Sequence, residues 1–189
     1  AKDWIKGKEV LVIGSGPSAK LHIADISKYI EKNQPIVLCL NINQEIPENL
    51  VSAYIACHET RIAIELDLYA GLKKPIVLPM SRMPSEISDF LSNVDILDYG
   101  LKIEKGSFSA QDNGCTLDKP LVLMYALSLL SVSGAKNISL TGVDGYEDQS
   151  LKQRELNKAF TQFQENNLDI DLVAITPTNL PVNTAFIYD

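Results

Sequence analysis

The 189-residue sequence holds only three cysteines and two histidines. Cys39, Cys57 and Cys115 are odd in number and widely spaced, which excludes a disulfide framework and a cysteine-paired metal site. Cys39 and Cys57 lie inside apolar runs and read as buried free thiols. His22 and His58 show no ligand spacing, so no metal is expected. No apolar run reaches membrane-spanning length and no stretch reads as a signal peptide, so no membrane partner is expected and the compartment is a reducing cytoplasm. Lys and Arg form no cluster, and the formal net charge is -7. That balance argues against nonspecific binding to nucleic acid or to an anionic membrane. Aromatics are few, at 7%, but 46% hydrophobic and 22% charged residues exclude a disordered or fibrous chain. An initial Met is also missing. The chain starts Ala1-Lys2-Asp3-Trp4 with a strand close behind, and excision from a longer protein is the expectation.

What is present is an alternation of strand and helix. At this length one domain with a full core is expected. Glu9–Gly14, Pro35–Leu40, Ala53–Cys57, Pro75–Leu78, Val94–Tyr99, Asn137–Thr141 and Ile170–Ile175 are short apolar runs that read as strands. Helices are expected over 19–32, with Ser18 as cap, and over 59–68, 84–92, 117–134 and 149–166. In the last of these, Leu151, Leu156, Ala159, Phe160 and Phe163 form an apolar stripe. The polar stretch 100–115 breaks the rhythm and reads as a long irregular connection, mobile and bordering the ligand crevice. The tail from Thr176 carries two prolines and reads as a surface segment. Strands that alternate with helices give a three-layer α/β fold, a mainly parallel sheet with helices on both faces, of Rossmann-like type. Ligands of such sheets bind beyond the carboxyl ends of the strands, where strand order switches.

Three loops then become candidates. Gly14-Ser15-Gly16-Pro17-Ser18 follows the first strand. Its glycines allow a sharp turn and close approach to main-chain N–H groups, and a helix start behind them favours phosphate. Ala19 breaks the full G-x-G-x-x-G dinucleotide fingerprint, and no P-loop lysine follows. A tight turn that binds nothing is the competing reading. Asn41 ends the second strand, with Asn43 two residues on. An amide there suits a base or a ribose, and an Asx-turn explains it equally well. Gly142-Val143-Asp144-Gly145-Tyr146 follows a late strand. Asp144 can bind a hydroxyl or act as a base, and a plain D-G turn is the alternative. Arg61, after the third strand, is a candidate phosphate ligand or a solvated helix residue.

GSGPS at 14–18, LCLN at 38–41 and GVDGY at 142–146 occur together in this order. In that respect the chain resembles the small Rossmann-like bacterial sialyltransferases, whose corresponding segments are G-N-G-P-S, R-C-N and G-I-D-F-Y. It is also similar to hydroxymethylpterin diphosphokinase-like proteins, which share the G-P-S loop and the later G-x-D. The opening D-W-I-K-G-K-E-V-L-V-I-G-S-G-P-S, with Asn41 and the H-E-T-R-I stretch at 58–62, resembles the C-terminal domain of certain bacterial aldolase-like proteins. Their N-terminal domain is an HMG-CoA-lyase-like TIM barrel of the 4-hydroxy-2-oxovalerate aldolase type.

These resemblances imply a nucleotide- or nucleotide-sugar-binding accessory domain, with a pyrimidine nucleotide as ligand and a TIM-barrel domain as partner in a longer parent chain. The ligand residues implied are Gly14 to Ser18, Asn41, Asn43, Arg61, Gly142, Asp144 and Tyr146, with Asp144 as the candidate catalytic group. The sialyltransferases place a general-base His after their G-I-D-F-Y segment. Here no His follows His58, and Ser15 replaces the loop Asn, so binding without transfer is expected. An active glycosyltransferase or diphosphotransferase, and a protein-interaction domain with an exposed apolar patch, are the alternatives.

Overall fold

A computed structural model describes residues 2–166 and 170–188. After one helical turn, α1 (Lys2–Ile5), the chain enters β1 (Glu9–Ile13). It continues through helices α2 (Pro17–Leu21) and α3 (Ile23–Asn33), strands β2 (Ile36–Leu40) and β3 (Ala53–Ile55), and helices α4 (Glu59–Ile64) and α5 (Leu66–Ala70). Strand β4 (Ile76–Leu78), helix α6 (Ser85–Phe90) and strand β5 (Ile96–Asp98) complete this half. Three short strands follow: β6 (Gly100–Ile103), β7 (Ser109–Gln111) and β8 (Gly114–Leu117). The chain ends with α7 (Val122–Val132), β9 (Asn137–Thr141), α8 (Leu151–Asn166), β10 (Asp171–Ala174) and β11 (Asn183–Thr184).

The main sheet has the order β11-β10-β9-β1-β2-β3-β4-β5, and every pairing in it is parallel. With helices on both faces this is the three-layer Rossmann-like α/β architecture that the alternation implies. The chain builds outward from β1 to β5, then returns to the other side of β1 at β9. The switch in strand order therefore falls between β1 and β9. Ile13 pairs with Thr141, so the loops after these two strands leave the sheet at the same level.

The central strands are apolar on both faces, as burial between helix layers requires. Val10, Val12, Leu38, Leu40 and Ile55 face a core shared with α7 and α8. Leu11, Ile13, Val37, Cys39 and Tyr54 face the opposite core with Ile26 and Ile30 of α3, Ile62 of α4 and Tyr69 of α5. Helix α7 is buried from Leu123 through Leu130. It has no polar stripe because it packs against the main sheet, α8 and the small sheet together.

Segment 100–115 corrects the sequence reading. It is not irregular but forms a three-stranded sheet, β6-β8-β7. Gln111 pairs antiparallel with Gly114, which leaves Asp112-Asn113 as a two-residue hairpin turn. Strand β8 takes residues 114–117, so α7 begins at Val122 rather than near 117. The helix expected over 19–32 is two helices that meet at His22, and that over 59–68 divides at Glu65. The stripe of α8 is Gln153, Leu156, Phe160 and Phe163, while Leu151 is 65% exposed. The tail is not wholly superficial: Leu180 and Ile187 are buried, and Asn183–Thr184 adds the edge strand β11. No described helix is long and apolar enough to cross a membrane.

Cys39, Cys57 and Cys115 are free and buried. Burial pushes each thiol up to about 12, because the thiolate would be desolvated. All three are thus protonated and shielded at neutral pH. A disulfide-exchange thiol reagent at pH 8 is expected to label none of them within minutes in the native protein and three per chain in denaturant. Rapid labelling of any one in the native state would contradict this burial.

Candidate functional site

A cleft of about 590 Å³ opens over the β9-β1-β2-β3 edge, at the carboxyl ends of the strands. Its walls include Gly14, Ser15, Gly16, Asn41, Arg61, Gly142, Asp144 and Tyr146, all of them candidates from the sequence. Pro17, Ser18 and Asn43 lie behind the wall rather than on it. Leu40, Leu121, Leu123 and Val143 supply apolar surface, and His58 joins from the β3 side.

The two glycine-bearing loops interlock. A Cβ on Gly14 would stand 2.3 Å from the Gly142 carbonyl oxygen. One on Gly16 would stand 2.7 Å from that oxygen and from Asp144 Oδ1. Gly142 has φ +63°, and a Cβ there would meet Ala19 Cβ at 2.5 Å. The glycines are therefore demanded by the packing of one loop on the other, independently of any ligand.

Main-chain donors lead to the same place. Gly14 N–H donates to Thr141 O, and Gly16 N–H donates to Gly142 O, each at 2.8 Å. Pro17 has no N–H, and it takes the first helical position with Gly16 as N-cap. Ser18 N–H donates to Asp144 Oδ2 at 2.8 Å, and Ser18 Oγ donates to Asp144 Oδ1. Ser18 thus holds Asp144 instead of capping the helix. Ala19 N–H donates back to Gly16 O at 3.0 Å. Among the described residues, Ser15 carries the one N–H of this loop without a partner. The loop does not present the row of open donors that a phosphate cradle needs. The protein's own carboxylate holds that position.

Asn41 and Asn43 separate in role. Asn43 is buried; its Nδ2 donates to Gly14 O at 3.1 Å, and its Oδ1 accepts from Glu45 N–H at 3.0 Å. It closes an Asx-turn and ties the β2 loop to the glycine loop. Asn41 is 7% exposed and lines the cleft, at a left-handed φ of +57°. Its N–H continues the sheet by donating to Ile55 O at 2.8 Å, but its side-chain amide has no partner among the described residues. Its polar atoms stay open to the cleft, so the amide is free to bond a group that enters it.

Tyr146 projects at the other end, 45% exposed, with Lys152 Nζ 5.6 Å from its ring centroid. An aromatic face at a cleft rim suits stacking on a base or a sugar. Its loop is clamped by residues that the sequence did not single out. Thr176 Oγ1 accepts from Gly142 N–H at 3.0 Å and gives its own hydrogen to Ser18 Oγ at 3.1 Å, since the Ser18 hydroxyl donates to Asp144. Asn179 N–H donates to Asp144 O at 2.8 Å, and buried Gln153 accepts from Tyr146 N–H at 2.6 Å. The Thr-Pro-Thr-Asn run at 176–179 was a usable turn signal, but nothing local tells which loop it reaches.

His58 and Arg61 form the β3 wall. Arg61 Nε pairs with Glu65 Oε1 at 3.3 Å, one helical turn on. Its two terminal nitrogens have no partner among the described residues. Segment 100–115 contributes nothing to the cleft wall, contrary to the expectation that it borders the crevice. It lines a neighbouring cavity of about 480 Å³ through Ile103, Lys105 and Phe108, and that cavity meets the cleft at Leu121. No group of three His, Cys, Asp or Glu side chains is placed to hold a metal among the described residues.

No protein-family model matches the chain, and no curated protein matches it. The resemblances to sialyltransferases, diphosphokinase-like proteins and aldolase-like chains stand on their motifs.

The interlock yields a stability prediction. Gly142→Ala combines a left-handed penalty of about 1–2 kcal/mol with overpacking of about 1–3 kcal/mol. Gly7→Ala isolates the first contribution, since Gly7 has φ +70° and open space where a Cβ would stand. Urea unfolding is expected to show the Gly142 variant losing clearly more stability than the Gly7 variant. Equal losses would mean that the loops do not pack as tightly as described.

Proposed function

We propose that this chain is a nucleotide- or nucleotide-sugar-binding domain that receives its ligand in the cleft above β1, β2 and β9, as the accessory C-terminal part of an aldolase-like protein. The observation that carries the reading is Asn41. A side chain that is unpaired, on the cleft wall and held in a left-handed backbone conformation offers an NH2 group and a carbonyl oxygen to whatever enters the cleft. The place of the cleft at the strand-order switch and the exposed Tyr146 ring support the same ligand class. A pyrimidine nucleotide fits an amide that reads one polar edge. The TIM-barrel partner follows from the resemblance of residues 3–18 and 58–62.

Asn41→Gly tests this cleanly, because glycine adopts φ +57° without strain while removing the amide. Stability is expected to hold or rise. Calorimetric affinity for cytidine or uridine nucleotides is expected to fall about tenfold, the equivalent of one hydrogen bond of about 1.4 kcal/mol. Unchanged nucleotide affinity in Asn41→Gly would sink the assignment of Asn41. Failure of the wild-type domain to bind any nucleotide would favour the interaction-domain reading.

One observation favours a second reading, an active glycosyl- or diphosphotransferase. The chain has no histidine after Tyr146, yet His58 reaches the cleft from β3. An imidazole on the cleft wall can take a proton from an acceptor hydroxyl. Transfer from a nucleotide sugar or a nucleoside triphosphate that disappears in His58→Ala, with nucleotide affinity retained, would establish this reading. No transfer with any donor supports the binding domain.

A further inference from the structure

We infer that the cleft has a fixed direction: the anionic group of its ligand lies against Arg61 and His58, and the hydrogen-bond-donating part, hydroxyls or an exocyclic amine, lies against Asp144. This rests on the nucleotide-binding reading above.

The glycine loop is the place where a Rossmann-like sheet is normally expected to take phosphate. Here the N–H groups of Gly14, Gly16 and Ser18 are spent on Thr141, Gly142 and Asp144, which leaves Ser15 N–H as a single open donor among the described residues. Asp144 also accepts from Ser18 Oγ, so its carboxylate is held at the loop by two donors. It remains on the cleft wall. A phosphate brought beside it would set like charges together in a half-buried site, where water screens them poorly. Oxygen lone pairs of a carboxylate instead favour O–H and N–H donors.

The opposite wall has the complementary character. Among the side chains that line the cleft, Arg61 and His58 are the ones able to carry positive charge. The ion pair of Arg61 uses Nε, which leaves its terminal nitrogens as a planar pair suited to two oxygens of one phosphate. Glu65 holds the guanidinium by its inner nitrogen and orients that pair. Between the walls stands Asn41, at the end of β2. From β3 to β9 there are three strand spacings, about 14 Å. A small anion cannot span that distance, whereas a ligand with a phosphate at one end and a base or sugar at the other can.

The test compares cytidine with cytidine 5′-monophosphate by calorimetry on the wild type, Arg61→Ala and Asp144→Asn. Arg61 is partly exposed and its pair with Glu65 contributes little to stability, so the alanine variant is expected to fold. The wild type is expected to prefer the monophosphate at least tenfold, the worth of a charge-assisted hydrogen bond. Arg61→Ala is expected to reduce that preference to less than threefold. Asp144→Asn is expected to keep it while weakening both ligands. A preference untouched by Arg61→Ala but enlarged by Asp144→Asn would place the phosphate at the glycine loop and overturn the direction, with nucleotide binding intact. No preference in the wild type would overturn it likewise. Binding of neither ligand, nor of uridine or its monophosphate, would remove the nucleotide reading and this inference together.

Discussion

The N–H groups of Gly14, Gly16 and Ser18 all donate to the segment from Thr141 to Asp144, and this seam sets the geometry of the cleft. It joins two loops that are more than 120 residues apart in sequence and neighbours only because β9 returns beside β1. Close approach of the loops leaves no room for side chains at 14, 16 or 142. It also carries Asp144 to the start of α2, where its carboxylate meets Ser18. A carboxylate at a helix start is electrostatically favourable, so the contact holds the loops and occupies the Ser18 donors in one step.

The electrostatic layout of the site follows. In a chain of net charge -7, one wall of the cleft presents a carboxylate and the other an arginine and a histidine. The apolar surface of Leu40, Leu121, Leu123 and Val143 lies between them. The polar ends are held from outside the cleft. Gln153, Thr176 and Asn179 brace the Asp144 end, and Glu65 braces the Arg61 end.

Much of the fold was legible because its signals are local. Apolar runs such as EVLVI and IVLCL become strands buried on both faces, and their alternation with helices leaves few topologies. The carboxyl-edge location of Gly14, Asn41 and Gly142 follows from the same pattern, since each ends a parallel strand. Segment 100–115 escapes the sequence pattern because its strands are only three or four residues long, too short for periodicity to register. Its Asp112-Asn113-Gly114 run was a hairpin signal, but the polar composition hid it. Helical spacing puts Leu151 on the apolar stripe, yet it is the first residue of α8 and is exposed. Gln153 takes the buried place through hydrogen bonds to Tyr146, Asn157 and Asn179.

Hydrophobic period and turn chemistry, both local to a few residues, specify the layer architecture, the strand-end loops and the residue types at the cleft. The contacts those residues make come from packing between distant segments. That packing assigned Asn43 to an internal turn and left the Asn41 amide open, although the two share one loop. It brought His58 to a cleft that spacing alone did not connect with it. It set Asp144 against Ser18, across 126 residues of chain, and so turned a glycine loop with the look of a phosphate site into one already partnered by the protein. Hydrogen bonds of that kind depend on which strands become neighbours, and no local pattern encodes a contact between loops so far apart.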